Sequence, residues 1–167
     1  GDNQSRDAFN RPTDVAVAPN GDFFVSDGYG NSRVVKFSKD GEFIRIIGGT
    51  KGTGPGEFDL PHSIVIDSQN RLIVGDRENA RIQVFDLDGK LIEMWSGLGK
   101  PYGLYITEDD TLYVADADGG TITIAKNGKP VDVIRELGRP HWVGTDPSGA
   151  LYTADVYAMR VQKIVKK

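Results

Sequence analysis

The chain has 167 residues, of which 38% are hydrophobic and 26% are charged, a balance typical of one folded globular domain and not of a disordered chain. Its formal net charge of −4 gives no overall positive field for a polyanion, so we expect no nucleic-acid partner. Every apolar run is shorter than the roughly 18 residues that a membrane-spanning helix requires, so we expect no membrane partner.

The sequence contains no cysteine, which excludes disulfides and thiolate metal ligands but is compatible with either redox compartment. It begins with Gly1 rather than Met, as expected of a chain from which a leader has been removed. The compartment therefore stays open, and export or secretion is compatible with these observations.

The chain carries an internal repeat in which a proline precedes an aspartate by fifteen residues, four times over. The four pairs are Pro12 and Asp27, Pro61 and Asp76, Pro101 and Asp116, and Pro140 and Asp155. Successive prolines are 49, 40 and 39 residues apart, a period typical of propeller blades or of helical arrays.

The residues inside each period favour strands. In the first unit a run after the proline, DVAVAP, is followed by DFFVSD and by the alternating run RVVKFS. A hairpin turn then leads into EFIRIIG; such turns are Asp40-Gly41, Asp88-Gly89 and Asn127-Gly128. Each unit thus predicts up to four short antiparallel strands, which is one blade of an all-β propeller.

We predict an N-terminal extension over residues 1–10 and then four blades. The blades cover approximately residues 11–48, 60–97, 100–137 and 139–167. The fourth unit shows only three of the strands, and an unpaired strand edge favours association with another chain. Three arrangements stay open: part of a six-bladed ring, a small ring of four blades, or a ring completed in a homo-oligomer. The run at 160–167 is predicted to be a solvated edge strand rather than a basic patch.

Two further features have structural interpretations. Residues 49–58 form a Gly-rich insertion, which we predict to be a flexible surface loop, because no helix follows that could help to bind a phosphate. The four repeated aspartates lie at strand ends. We predict that they accept hydrogen bonds from their own turns rather than bind a metal.

The position after each proline holds both histidines of the sequence, in alternate repeats. The four residues in this slot are Thr13, His62, Tyr102 and His141. In a six-bladed ring, alternate blades are about 120° apart, so the two imidazoles would supply two arms of a three-ligand zinc site at the channel. The alternative is that both histidines are ordinary polar loop residues.

Three stretches resemble the NHL-repeat propeller of peptidyl-α-hydroxyglycine α-amidating lyase. The similarity is dense over residues 11–86, sparse from 87 to 138, and returns at 139–142; its most specific motifs are SDGYGNSR, LPHS, DRENAR and RPHW. The resemblance implies a six-bladed propeller that cleaves the C–N bond of a peptidyl-α-hydroxyglycine to give a peptide amide and glyoxylate. It also implies a zinc cofactor held by three histidines.

Carried over residue by residue, the resemblance implies zinc binding by His62 in LPHS and His141 in RPHW. It implies that Tyr29 in SDGY is the general base toward the substrate hydroxyl and that Arg77 in DRENAR assists catalysis. A tyrosine can lose its proton when cations lower its pKa, and arginine binds a carboxylate through two N–H groups. Alternatively, Tyr29 only packs against the channel wall, and Arg77 pairs with Glu78 or with the neighbouring aspartate.

The sequence also departs from the family pattern. The family's first two blades, which bring the third zinc histidine and another arginine, have no counterpart in this sequence. Trp142 stands where the family has a calcium-binding aspartate, so we do not expect calcium. Two functions stay open: a zinc-dependent lyase acting on a peptide or small-molecule substrate, or a non-catalytic scaffold that binds a peptide, a small ligand or a protein at the channel mouth.

Overall fold

A computed structural model describes residues 1–165 of the chain. These residues form four antiparallel sheets, each with its strands in chain order, so every sheet is a simple meander. The prediction of an all-β propeller of four blades is confirmed. Among the described residues there is no helix long and apolar enough to cross a membrane.

Three blades have four strands and the fourth has three within the described residues. Blade 1 consists of β1 (Asp14–Val17), β2 (Phe23–Asp27), β3 (Arg33–Phe37) and β4 (Phe43–Gly48). Blade 2 consists of β5 (Pro61–Ile66), β6 (Arg71–Asp76), β7 (Arg81–Asp86) and β8 (Leu91–Ser96). Blade 3 consists of β9 (Gly103–Ile106), β10 (Leu112–Asp116), β11 (Thr121–Lys126) and β12 (Lys129–Ile134). Blade 4 consists of β13 (Pro140–Thr145), β14 (Leu151–Asp155) and β15 (Arg160–Ile164).

The strand β15 pairs with β14 on one side only, and three of its five residues are exposed. The part of the run 160–167 that the structure describes is therefore a solvated edge strand, as predicted. Positions 166 and 167 of that run lie outside the described residues.

Apolar residues pack between neighbouring blades. Phe24 and Val34 of blade 1 meet Leu72 and Phe85 of blade 2, and all four are buried. Similar clusters join blade 2 to blade 3 and blade 3 to blade 4. The first strands β1, β5, β9 and β13 contact one another in succession, which places the chain segments before them around a common channel.

The β11–β12 hairpin shows why a turn needs its particular residues. Asn127 and Gly128 both have positive φ angles, 48° and 71°, which matches the two-residue turn that a twisted hairpin favours. A Cβ atom on Gly128 would lie 2.4 Å from the ring of Trp95, so this turn also covers a side chain of the preceding blade. Glycine is required there both by the backbone conformation and by the close approach.

The four repeated aspartates accept hydrogen bonds from side-chain or backbone groups of their own turns, as predicted. Asp27 accepts hydrogen bonds from the backbone N–H of Asn10 and from the side chains of Asn31 and Arg33. The other three accept a backbone N–H from the same place, sixteen or seventeen residues upstream; the donors are Asp59, Lys100 and Arg139. Each aspartate thus ties the segment that enters a blade to the turn between the blade's second and third strands.

In blades 1 and 2, an arginine further ties the segment that enters the blade to the repeated aspartate. Arg33 is fully buried, and beyond Asp27 it donates to the backbone carbonyls of Ser5 and Ala8 in the N-terminal segment. Arg81 donates in the same way to carbonyls of the Gly-rich insertion, namely those of Thr53, Gly54 and Glu57. The insertion ends at Phe58, whose side chain is fully buried between blades 1 and 2. The segment lies at the surface, as predicted, and these hydrogen bonds attach it to blade 2, whereas its flexibility stays a prediction.

Candidate functional site

The slot after each proline lines one cavity of about 110 Å³ at the channel. All four slot residues contribute to its wall: Thr13, His62, Tyr102 and His141. They meet because each slot lies at or just before the first strand of its blade, and those strands pack in succession around the channel. Residues that are 39 to 49 positions apart in the sequence therefore lie close together in the folded chain.

His62 is held at both ring nitrogens. Its Nδ1 lies 2.5 Å from the backbone carbonyl of Tyr102, and its Nε2 lies 3.0 Å from the hydroxyl of Tyr29. Because a carbonyl can only accept, the hydrogen-bond pattern assigns the proton to Nδ1, so Nε2 presents its lone pair to the hydroxyl. Only 5% of the residue is exposed.

The electrostatics of the site keep both imidazoles neutral. Burial, and after it the charges of Arg77 and His141, lower the pKa of His62 from 6.5 to about 4. Burial and the Arg77 charge also lower the pKa of half-buried His141. The two ring centroids are 4.8 Å apart with the planes at 72°. Alternate blades thus bring two neutral, lone-pair-bearing rings into contact.

Arg77 lies in the turn between β6 and β7, beside both histidines. Its guanidinium carbon is 4.6 Å from the ring centroid of Tyr102 and 5.5 Å from that of Tyr29, distances at which a cation and an aromatic ring attract each other. Its Nε donates to Glu78 at 2.9 Å, so the pairing that the sequence left open is present. This hydrogen bond uses one N–H of the guanidinium group and leaves the others unoccupied by Glu78.

Tyr29 lies in the turn between β2 and β3 and is 45% exposed. Its ring stands edge-on to the ring of His62, with centroids 5.4 Å apart. A side chain that only packed against the channel wall would be more enclosed and would not direct its hydroxyl to a histidine nitrogen. The hydroxyl is instead directed to Nε2 of His62, which lines the cavity.

Sequence reasoning placed Tyr102 in the slot but assigned it no role. The structure gives it two: its carbonyl orients His62, and its ring supports Arg77. A second missed contact lies in the cavity wall, where the Ser63 hydroxyl donates to Asp14 of blade 1 and accepts from the Leu104 N–H of blade 3. The shared slot could have singled out Tyr102, whereas no sequence signal pointed to Asp14 and Ser63.

His62 has the features of a metal ligand. A metal-binding histidine commonly donates its other ring N–H to a carbonyl, which sets the tautomer and the ring orientation, and Tyr102 provides that carbonyl. Within residues 1–165, however, no group of three or more His, Cys, Asp or Glu side chains is placed to hold a metal ion. The donor chemistry of two imidazoles fits zinc, and a third ligand would have to come from outside this part of the chain.

Comparison with known proteins gives the same fold. The model of a family described as "6-bladed beta-propeller" matches residues 8–96. NHL repeat-containing protein 3 of Homo sapiens is 35% identical over 176 residues, covering 94% of this chain and 50% of that protein. A solved virginiamycin B lyase from Staphylococcus aureus superimposes with a TM-score of 0.72 and 20% identity, over 92% of this chain and 55% of that one, a likeness in fold alone.

Part of the chain is similar to a lyase at higher identity. A probable peptidyl-alpha-hydroxyglycine alpha-amidating lyase of Caenorhabditis elegans is 49% identical over 79 residues, covering 46% of this chain and 23% of that protein. The chain spans half or less of the length of the curated relatives described here. From the family match and these relatives, the chain belongs to the six-bladed β-propeller family, as an NHL-repeat propeller related to the amidating lyases.

Proposed function

We propose that this chain contributes to a zinc-dependent site that cleaves the C–N bond of a peptidyl-α-hydroxyglycine, giving a peptide amide and glyoxylate. The observation that carries the proposal is a cluster from three different blades, in which Tyr29 contacts both His62 and Arg77, and His62 contacts His141. The 49% identity of 79 residues to a probable lyase of this type supports it.

The residues have complementary tasks in that reaction. His62 and His141 would hold the zinc, and bound zinc supplies Lewis-acid polarisation of the substrate hydroxyl or carboxylate. Arg77 binds the carboxylate of the glycine-derived end through N–H groups that Glu78 does not use. The carbonyl of Tyr102 keeps the Nε2 lone pair of His62 directed toward the site.

Bond breaking needs a base for the substrate hydroxyl. In the proposed reaction Tyr29 first releases to solvent the proton that it donates to His62 in this structure, and its phenolate, beside the Arg77 guanidinium, then removes the hydroxyl proton. The oxygen lone pair then forms the C=O bond of glyoxylate while the C–N bond breaks. The departing nitrogen takes up the proton that Tyr29 removed and becomes the amide of the shortened peptide.

The experiment that tests the proposal measures glyoxylate released from an α-hydroxyglycyl peptide, with zinc added over a wide concentration range. We expect zinc-dependent turnover, loss of at least about 100-fold in Tyr29→Phe if the tyrosine is the base, and little change in Tyr113→Phe. Tyr113 is a matched control, because it lies on β10 with its ring beside Tyr105 rather than beside a histidine. Absence of turnover at every zinc concentration would refute the proposal.

A second candidate is a non-catalytic propeller that binds a peptide or small ligand at the channel mouth. The described residues provide two histidines and no group of three metal-binding side chains, which favours this second function over the zinc-dependent lyase. Titration calorimetry distinguishes the two functions. The scaffold binds zinc or an amidated peptide without any glyoxylate appearing.

Completion of the site by a second copy of the chain is also a proposal. An exposed edge strand such as β15 can pair with another chain, and a partner could supply the third ligand. The mass in solution, measured at micromolar protein concentration with and without zinc, tests this. A monomer that still turns over substrate would refute it.

A further inference from the structure

Two sequence positions carry opposite charges on neighbouring blades. The position before the proline is Lys100 in blade 3 and Arg139 in blade 4. The position two residues after the repeated aspartate is Glu78 in blade 2 and Asp118 in blade 3. A cation at the entry of one blade can therefore pair with a carboxylate in the turn of the blade before it.

The structure pairs these groups in an equivalent way at both boundaries. Lys100 Nζ lies 2.9 Å from Glu78 Oε2, and Arg139 Nη2 lies 2.7 Å from Asp118 Oδ1. We call each pair an inter-blade clasp. Lys100 Nζ also lies 3.2 Å from Asp118 Oδ2, so one lysine connects the two clasps.

The clasp between blades 2 and 3 differs because its carboxylate has a second cation. Glu78 accepts from Lys100 with Oε2 and from Arg77 Nε with Oε1, so both oxygens are occupied by cations from adjacent blades. In the described residues, hydrogen bonds from the Arg77 side chain come from Nε alone. The two terminal amino groups are thus left for a ligand at the cavity.

Lys100 is itself well placed to hold this arrangement. Its backbone N–H donates to Asp116 at 3.0 Å, which is the attachment that every blade of the repeat uses. The hydrogen bond from Lys100 is the largest cause lowering the pKa of Glu78, and Glu78 is the largest cause raising the pKa of Lys100. Each group therefore stabilises the charged form of the other.

We propose that Lys100 is a positioning residue: through Glu78, it holds the Arg77 guanidinium against the ring of Tyr102 and beside the two histidines. Arginine has many rotamers, so removing its carboxylate anchor or loosening that anchor lets the guanidinium leave the site. The effect of Lys100 on catalysis rests on the proposed lyase function. Its effect on the orientation of the Arg77 side chain does not.

The test compares Lys100→Met with Lys100→Arg, which keeps the charge, and with Lys126→Met. Lys126 is a matched control, because it forms an ion pair at 2.8 Å with Asp109 on the same blade, away from the cavity. The readout is the Nε–Hε signal of Arg77 in proton–nitrogen spectra of the folded protein, identified by its loss in Arg77→Gln.

In Lys100→Met we expect Hε to exchange with water about ten times faster and its shift to move toward that of a free arginine, since the hydrogen bond to Glu78 is loosened. Lys100→Arg should restore the signal, and Lys126→Met should leave it unchanged. An unaltered signal in Lys100→Met, or an equal change in Lys126→Met, would overturn the proposal.

Turnover gives a second, separable readout. If the lyase is active, Lys100→Met should raise KM for the α-hydroxyglycyl peptide about tenfold with a smaller effect on kcat, and Lys100→Arg should reverse this. Turnover with an unperturbed Arg77 signal and unchanged KM in Lys100→Met refutes the positioning role alone. A perturbed signal with no turnover in the parent protein supports the positioning role and refutes the lyase.

Discussion

Acidification should destabilise this protein through one histidine in particular. The pKa of His62 is about 4 in the folded protein, whereas an exposed histidine in the unfolded chain titrates near 6.5. As the pH falls below 6.5, the unfolded chain takes up a proton that the native state does not yet bind. Stability is therefore lost from about pH 6.5 down to about 4, and this contribution is constant outside that window.

The size of the effect follows from the two pKa values. Each pH unit within the window costs about 1.4 kcal/mol, so the full loss is on the order of 3 kcal/mol. No large discount for solvent screening applies, because His62 is only 5% exposed. Against a typical total stability of about 5–15 kcal/mol, this is a readily measured fraction.

Urea unfolding of the parent protein and of His62→Gln, at pH 7, 5.5 and 4, isolates the contribution. Glutamine does not titrate, and the carboxylates titrate alike in both proteins, so the stability difference between them should shift by about 3 kcal/mol, to the disadvantage of the parent, between pH 7 and pH 4. A difference that stays constant to within about 0.5 kcal/mol would refute the assignment of His62 as a buried, neutral ring. So would a His62 ring titration near 6.5.

Three further predictions concern the scaffold and are checked by urea unfolding at neutral pH. Arg33→Met leaves Asp27 buried beside no cation and should cost about 3–5 kcal/mol. Phe58→Ala opens a cavity between blades 1 and 2 and should also cost about 3–5 kcal/mol. Gly128→Ala forces a Cβ against Trp95 at a positive φ and should cost at least about 1 kcal/mol. A change below about 0.5 kcal/mol in any of them, as for an ordinary surface substitution, would contradict the packing described here.

The strands could be predicted because their determinants are local. A two-residue alternation such as RVVKFS and a turn such as Asn127-Gly128 act within a few residues, and β3 and the β11–β12 hairpin form where these signals stand. The attachment of the Gly-rich insertion could not be predicted in this way. It depends on Arg81 reaching three carbonyls more than twenty residues away in the chain, and glycine content alone indicated mobility.

The meeting of His62 and His141 followed from the repeat rather than from either local sequence. Two residues in one slot of a propeller must face the same channel, so their proximity could be anticipated, and the 4.8 Å centroid distance agrees with it. The slot does not reveal what each ring bonds to. The hydrogen bond from His62 to the Tyr102 carbonyl depends on how blade 3 packs on blade 2, which no motif in either blade records.

Equivalent positions of different blades, when compared, indicate which side chains can pair across a blade boundary, which no single motif does. At the boundary between blades 1 and 2, the positions equivalent to Glu78 and Lys100 are Tyr29 and Leu60, so no ion pair can form there. That substitution frees the turn of blade 1 to present a tyrosine hydroxyl to His62, while the next boundary uses its ion pair to hold Arg77. One repeated position thus supplies a hydroxyl that hydrogen-bonds to His62 in one blade and a carboxylate that pairs with Arg77 in the next. A propeller can place different side chains around one cavity because its blades share a backbone but not the residues in their turns.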